Sequence, residues 1–138
     1  VSAEQSKFIG TWSTWWQSAG GAGAGTMTIA FDREVEVPDA KVAFIEVPGF
    51  KLGLLSGLIK FADGSTDQTT TGSVSTATND ATPPVSIEIY MGNWSTEGLS
   101  GTGTFVLICS DDSPNVFAGY YTYSLGGDPY PWGGARTS

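Results

Sequence analysis

Histidine is absent from this chain, and Cys109 is its only cysteine. The first absence removes Ser-His-Asp and Cys-His nucleophilic catalysis together with the commonest zinc ligand. The second rules out an internal disulfide and favours a reducing, cytoplasmic setting. Basic residues are scarce, six Lys plus Arg against fourteen Asp plus Glu, for a net charge of −8. Phosphate backbones and anionic leaflets repel such a chain, so neither nucleic acid nor a membrane surface is expected as a partner. No apolar run approaches the ~20 residues of a spanning helix. No basic n-region followed by an apolar core opens the sequence, so a secretory signal is either lacking or was removed before Val1.

What is present points to strands. Residues 1–138 fit one domain, with the polar 1–7 read as a flexible arm or one helical turn. Forty per cent of residues are hydrophobic, 14 % are charged and nineteen are glycine, the makeup of short strands and tight turns. The densest stretch is Phe8-Ile9-Gly10-Thr11-Trp12-Ser13-Thr14-Trp15-Trp16, which holds three of the five tryptophans. Alternation puts Phe8, Trp12, Thr14 and Trp16 on one face and Ile9, Thr11, Ser13 and Trp15 on the other. A strand with large rings on both sides must be covered on one and partly covered on the other.

The glycine-rich 18–25 lacks the Lys-Ser/Thr of a phosphate loop and reads as a hairpin connection. Strands are expected at 26–33, 34–37 and 41–47, with a Pro-Asp turn between the last two. Phe50 to Phe61 reads as a buried strand, or a strand preceded by a short helical lid that gates a cavity mouth; its interior glycines oppose a stable helix. After the Asp63-Gly64 turn, Thr66 to Thr78 looks like an exposed or edge strand. Val85 to Met91 alternates most clearly, with Val85, Ile87, Ile89 and Met91 opposite Ser86, Glu88 and Tyr90. Strands at 101–110, 117–125 and 130–136 complete the chain. Roughly eight or nine short strands with close turns predict an all-β fold, a single antiparallel up-and-down barrel of about eight strands with a central cavity.

Gly10-Thr11-Trp12 near the start of such a chain resembles the G-x-W signature of the calycins, the lipocalin, fatty-acid-binding and avidin group. The resemblance implies that Trp12 plugs the closed end of a barrel and that Arg136, in the last strand, lies across its indole. An arginine over an indole gains cation–π energy while its stem covers the ring. The chain departs from the group in having no carboxy-terminal helix, no disulfide and no recognisable avidin-type biotin-binding run. Small barrel cyclases of natural-product pathways look similar in size and composition.

Two carboxylates are candidate catalytic residues. Glu46 shares a face with Val42 and Phe44. If that face lines the barrel, burial makes it an acid, a base or a hydrogen-bond donor; otherwise it is solvated. Glu88 lies on a wet outer face under the apolar-in rule, or lines the cavity if the apolar row turns outward against a partner subunit, as in a homodimer. Glu34, Glu36 and the Asp111-Asp112 turn read as solvated. No carboxylate has metal-site spacing, and neither a metal nor a cofactor is expected. Trp16, Tyr90, Trp94, Tyr121 and Tyr123 are the candidate ligand-binding residues, because rings with polar tips suit a mostly apolar ligand fixed by a few hydrogen bonds. Three functions fit: binding of a small hydrophobic or amphipathic molecule inside the barrel, cofactor-free cyclisation of a polyene by templating, or carbohydrate stacking on Trp94 and Trp132. Asn93-Trp94-Ser95 matches the N-glycosylation pattern, and Cys109 reads as an inert core residue.

Overall fold

A computed structural model describes residues 3–64, 67–96, 101–124 and 126–138. After a 3-10 turn at Ala3–Gln5, the strands are β1 (Gly10–Ser18), β2 (Gly21–Val37), β3 (Ala40–Val42), β4 (Ile45–Val47), β5 (Phe50–Phe61), β6 (Asp67–Thr78), β7 (Ser86–Thr96), β8 (Thr102–Ser110), β9 (Ser113–Tyr123) and β10 (Tyr130–Arg136). Eight of them close into an antiparallel barrel in the order β1-β10-β9-β8-β7-β6-β5-β2, and β3 pairs with β4 as a separate hairpin. The all-β up-and-down barrel expected from the alternation is the observed fold. Of that reading, Val1, Ser2, Thr66 and Leu125 lie outside the described residues.

One end of the barrel is stoppered. Trp12 on β1 faces Arg136 on β10, and the guanidinium carbon sits 4.3 Å from the indole centroid. Arg136 also donates to the carbonyls of Ile9 (3.0 Å) and Lys7, while Trp12 Nε1 donates to the carbonyl of Phe8 at 2.9 Å. Phe8 and Trp12 are both fully buried. A buried ring of this size removes ~150–250 Å² from water, about 4–6 kcal/mol at ~25 cal/mol per Å². Glu88 pins the chain that leads into the stopper: its Oε2 accepts from Ser6 Oγ and from the Lys7 amide, both at 2.8 Å. Residues 6–8 therefore belong to the closed end and not to a frayed arm.

Several expected boundaries move, each for a packing reason. The glycine-rich run is mostly strand, with a turn only at Ala19-Gly20. A Cβ on Gly23 would come within 2.3 Å of Trp16 Nε1, so glycine is what lets the indole lie over β2. Residues 26–33 and 34–37 are one strand with a register shift between Phe31 and Arg33. Residues 41–47 are not one strand but two of three residues, reversed at Ala43-Phe44, where Ala43 has φ 56°. Phe50–Phe61 is strand throughout and not a lid: from Leu54 on it is a wall of the barrel, and before that it pairs with β2 alone. β6 pairs with both β5 and β7 as far as Ser73, so only its last residues, Val74 to Thr78, which pair with β7 alone, form the expected edge.

The clearest alternation in the sequence is inverted in space. Glu88 and Tyr90 of β7 point inward and are buried, while Met91 is 46 % exposed. Here specific partners outweigh the apolar-in rule. The Tyr90 hydroxyl meets Thr70 Oγ1 at 2.9 Å and donates to the Leu55 carbonyl at 3.3 Å, and Glu88 meets Ser6 and Lys7.

Trp12→Ala is expected to lower the unfolding free energy by about 3–5 kcal/mol, and Arg136→Met by about 1–3 kcal/mol. Urea denaturation measures both, and an unchanged midpoint for Trp12→Ala would contradict the stopper.

Candidate functional site

The other end of the barrel holds a cavity of about 210 Å³. Trp16 lies four residues from Trp12 along β1, ~13 Å at ~3.3 Å per residue, and marks its depth. Trp16, Phe61, Trp94, Tyr121, Tyr123 and Trp132 supply the rings around it, with Ser18 and Gln68 as polar neighbours. All eight side chains face inward by strand parity.

The rings hold one another by their edges. Trp94 meets Tyr121 and Tyr123 in T-shaped contacts at 5.8 and 5.3 Å, Tyr121 meets Trp132 at 6.2 Å, and Trp16 tilts against Phe61 at 4.8 Å. Each such pair adds about 0.5–1.5 kcal/mol beyond burial, so the wall is pre-formed. Glycines make the room: a Cβ on Gly103 would lie 2.7 Å from Trp94 Nε1 and 1.7 Å from the Thr122 carbonyl. Below the cavity the barrel is solid, with Trp132, Phe117 and Trp12 linked ring to ring at 6.4 and 5.0 Å.

Three of the polar tips on these rings are already spent. Trp94 Nε1 donates to the Thr122 carbonyl at 3.0 Å, Trp132 Nε1 to Thr14 Oγ1 at 2.6 Å, and the Tyr121 hydroxyl to the Gln17 carbonyl. The cavity therefore offers mainly ring faces. Gln68 Nε2 is bound to Thr96 Oγ1 at 3.1 Å, whereas its carbonyl oxygen has no protein hydrogen bond among the described residues. None of the described side chains lining the cavity is a carboxylate.

Four of the five expected ligand-binding residues, Trp16, Trp94, Tyr121 and Tyr123, thus stand together around one cavity. Tyr90 does not join them; it lies deeper, edge-on to Phe105 at 4.8 Å and against Phe8 at 5.6 Å. The two carboxylates are elsewhere. Glu46 is exposed on the β3–β4 hairpin, 3.7 Å from Lys41 Nζ, because the face it shares with Val42 and Phe44 lines no barrel. Glu88 is buried at the closed end, with Lys7 Nζ 3.9 Å from its Oε1. Lys7 Nζ also reaches Asp111 Oδ1 at 2.6 Å, and that hydrogen bond raises the lysine pKa. Neither carboxylate lies at the cavity. Cys109 is buried at the closed end, and burial pushes its thiol pKa up.

Gln68 and Ser18 were not singled out by the sequence, and Phe61 appeared there only as the end of an apolar stretch. Gln68 sits in a Thr-rich segment that looks wet, and only its pairing with Thr96 shows that this parity faces inward. Phe61 had a usable signal, being the last apolar residue before a turn. The fold and site define an eight-stranded antiparallel barrel, stoppered at one end and lined with rings at the other. Comparison with protein-family models, curated proteins and solved structures finds no match.

Burial pushes the phenols of Tyr90 and Tyr121 well above their ordinary value near 10, the Thr70 hydrogen bond opposing the rise at Tyr90 and the Tyr123 and Tyr130 phenols adding to it at Tyr121. Below about pH 10 folded and unfolded chains both keep these protons, and the stability they confer is fully present. Above it the unfolded chain releases protons that the folded chain retains, so stability falls as pH climbs. Urea midpoints compared at about pH 9 and about pH 11 should show that fall, with a smaller one in Tyr90→Phe. An identical pH dependence in the variant would contradict the burial of this phenol.

Proposed function

We propose that this chain binds a small hydrophobic or amphipathic molecule in the ring-lined mouth of a calycin-type barrel. The observation that carries the reading is the cavity of about 210 Å³, bounded by six aromatic side chains, three of which (Trp94, Tyr121 and Trp132) have their polar tips bonded to the protein. At ~30 Å³ for each water it displaces, the cavity takes a molecule of ring size. Ligand pockets for larger, drug-sized compounds run from about 300 to 1,000 Å³. A polyene long enough to be folded and cyclised would extend beyond the space enclosed, and the cavity presents no described carboxylate to polarise it. The calycin assignment rests on Trp12 and Arg136, which meet as that group's G-x-W tryptophan and final-strand arginine do.

Ring faces also suit the C–H face of a sugar, and Gln68 and Ser18 supply polar groups nearby. Calorimetric titration with indole, 2-naphthol and methyl α-glucoside separates the two ligand classes. The expected result is binding of the aromatic probes and no heat with the sugar. Tyr123→Ala should weaken the aromatic probes roughly tenfold, the loss of one stacked ring at about 1.4 kcal/mol. Ser18→Phe, which fills the mouth, should abolish binding while the circular dichroism stays that of the parent. Absence of aromatic binding up to about 1 mM overturns the proposal, and binding of the sugar alone replaces it with the carbohydrate reading.

A further inference from the structure

Thirteen large hydrophobic side chains are exposed among the described residues, and eleven of them fall into two separate features. The first is an arm. Beyond Arg33 and Leu54, β2 and β5 pair only with each other, as neither β1 nor β6 reaches this far along them. This ribbon leads into the β3–β4 hairpin, whose strands pair only with one another. Val35, Val42, Phe44, Ile45, Val47 and Phe50 are exposed along the arm, and Phe44 at its tip is 90 % exposed. The tip itself, Val42-Ala43-Phe44-Ile45, carries no charge.

The second feature is a face of the barrel wall. Strands β7, β8, β9, β10 and β1 contain just two charged residues, Glu88 and Arg136, and both are turned to the closed end of the interior. The outer face of these five strands is thus free of charge in a chain of net charge −8. It carries the remaining five exposed residues, Trp15, Met91, Ile108, Val116 and Tyr120. A groove of about 510 Å³ runs across it between Trp15, Ile108, Val116 and Ala118. The outward apolar row of β7 is part of this same face.

Each feature is costly to leave in water, and each answers the other: an uncharged apolar knob and an uncharged apolar groove. Two copies of a chain this acidic repel one another over most of their surface. The tip and the groove are where they can meet without bringing like charges together. A cationic partner would instead be drawn to the acidic loops, and an anionic bilayer would repel the whole molecule. We propose that this chain pairs with a second copy of itself, the Val42–Ile45 tip of each copy seated in the Trp15–Ile108–Val116 groove of the other. Reciprocal seating uses both features on both copies and closes under a two-fold axis, leaving no open knob or groove to propagate. The contact is apolar between like-charged bodies, so added salt strengthens it by screening the repulsion.

Sedimentation equilibrium of the whole chain over a concentration series tests this. The expected result is a monomer–dimer equilibrium that shifts toward dimer with salt. Phe44→Ser and Ile108→Lys, both at exposed positions, should each weaken it roughly tenfold or more while circular dichroism is unchanged. Mixing the two variants should restore part of the association, since the intact tip of one meets the intact groove of the other. Four results overturn the proposal: a wild-type chain that stays monomeric up to about 1 mM, a Phe44→Ser variant that dimerises like wild type, a mixture no more associated than its components, or a monomer that co-sediments with phosphatidylcholine vesicles through Phe44.

Discussion

The contact between Arg136 and Trp12 is the constraint on which the barrel depends. It joins the first long strand to the last, so it is the point where an open meander becomes a closed tube. Its chemistry is local and directional: a guanidinium over an indole face, with its remaining donors spent on the Ile9 and Lys7 carbonyls. Those carbonyls belong to the segment that enters β1, so the same arginine ties down both the stopper and the chain leading to it. Glu88 fastens that segment from the opposite wall. Once β1 and β10 are locked in register, the parity of every other strand follows through the ladder.

Parity in turn decides where there is space. The interior alternates rings with glycines, as where Phe117 lies over Gly134 and Trp16 over Gly23. Near Trp12 this packing is complete and the tube is solid. Toward the mouth the strands carry rings that lean on one another and on the wall but do not meet across the axis. The cavity is the gap they leave. Its walls are stiff because the Trp94 and Trp132 N–H groups and the Tyr121 hydroxyl are bonded to the frame. A ligand that stacks there does so without having to order the rings first.

Legibility in the sequence followed the strength of local pattern. The number of barrel strands, the turns at Asp63-Gly64 and Asp111-Asp112 and the aromatic character of β9 and β10 came through because alternation and turn chemistry are local properties. The pairing of Trp12 with Arg136 was legible only through the resemblance of Gly10-Thr11-Trp12 and the last arginine to the calycin pattern. The direction of β7 could not. Its alternation is plain, but a period of two says only that two faces differ, and the rule that apolar residues go inward points the wrong way here. Tyr90 and Glu88 are inside because Thr70, Leu55, Ser6 and Lys7 wait there, and those partners are distant in sequence. Residues 41–47 failed for a related reason: an apolar run on both faces suggests a buried strand, while β2 and β5 run on beyond β1 and β6 and carry it out of the barrel altogether.

By itself, then, the amino-acid order determined the class of architecture and the exclusion of histidine-based chemistry, which rest on residue type and short-range spacing, while the Trp12–Arg136 stopper entered only through the resemblance to the calycins. The tertiary structure alone decided that four of the rings converge on one cavity, that the two candidate carboxylates lie away from it, and that apolar surface is left outside on an arm and a wall. Those outcomes depend on which strand lies beside which and in what register, a matter settled by hydrogen-bond partners across the sheet and invisible to any window of neighbouring residues.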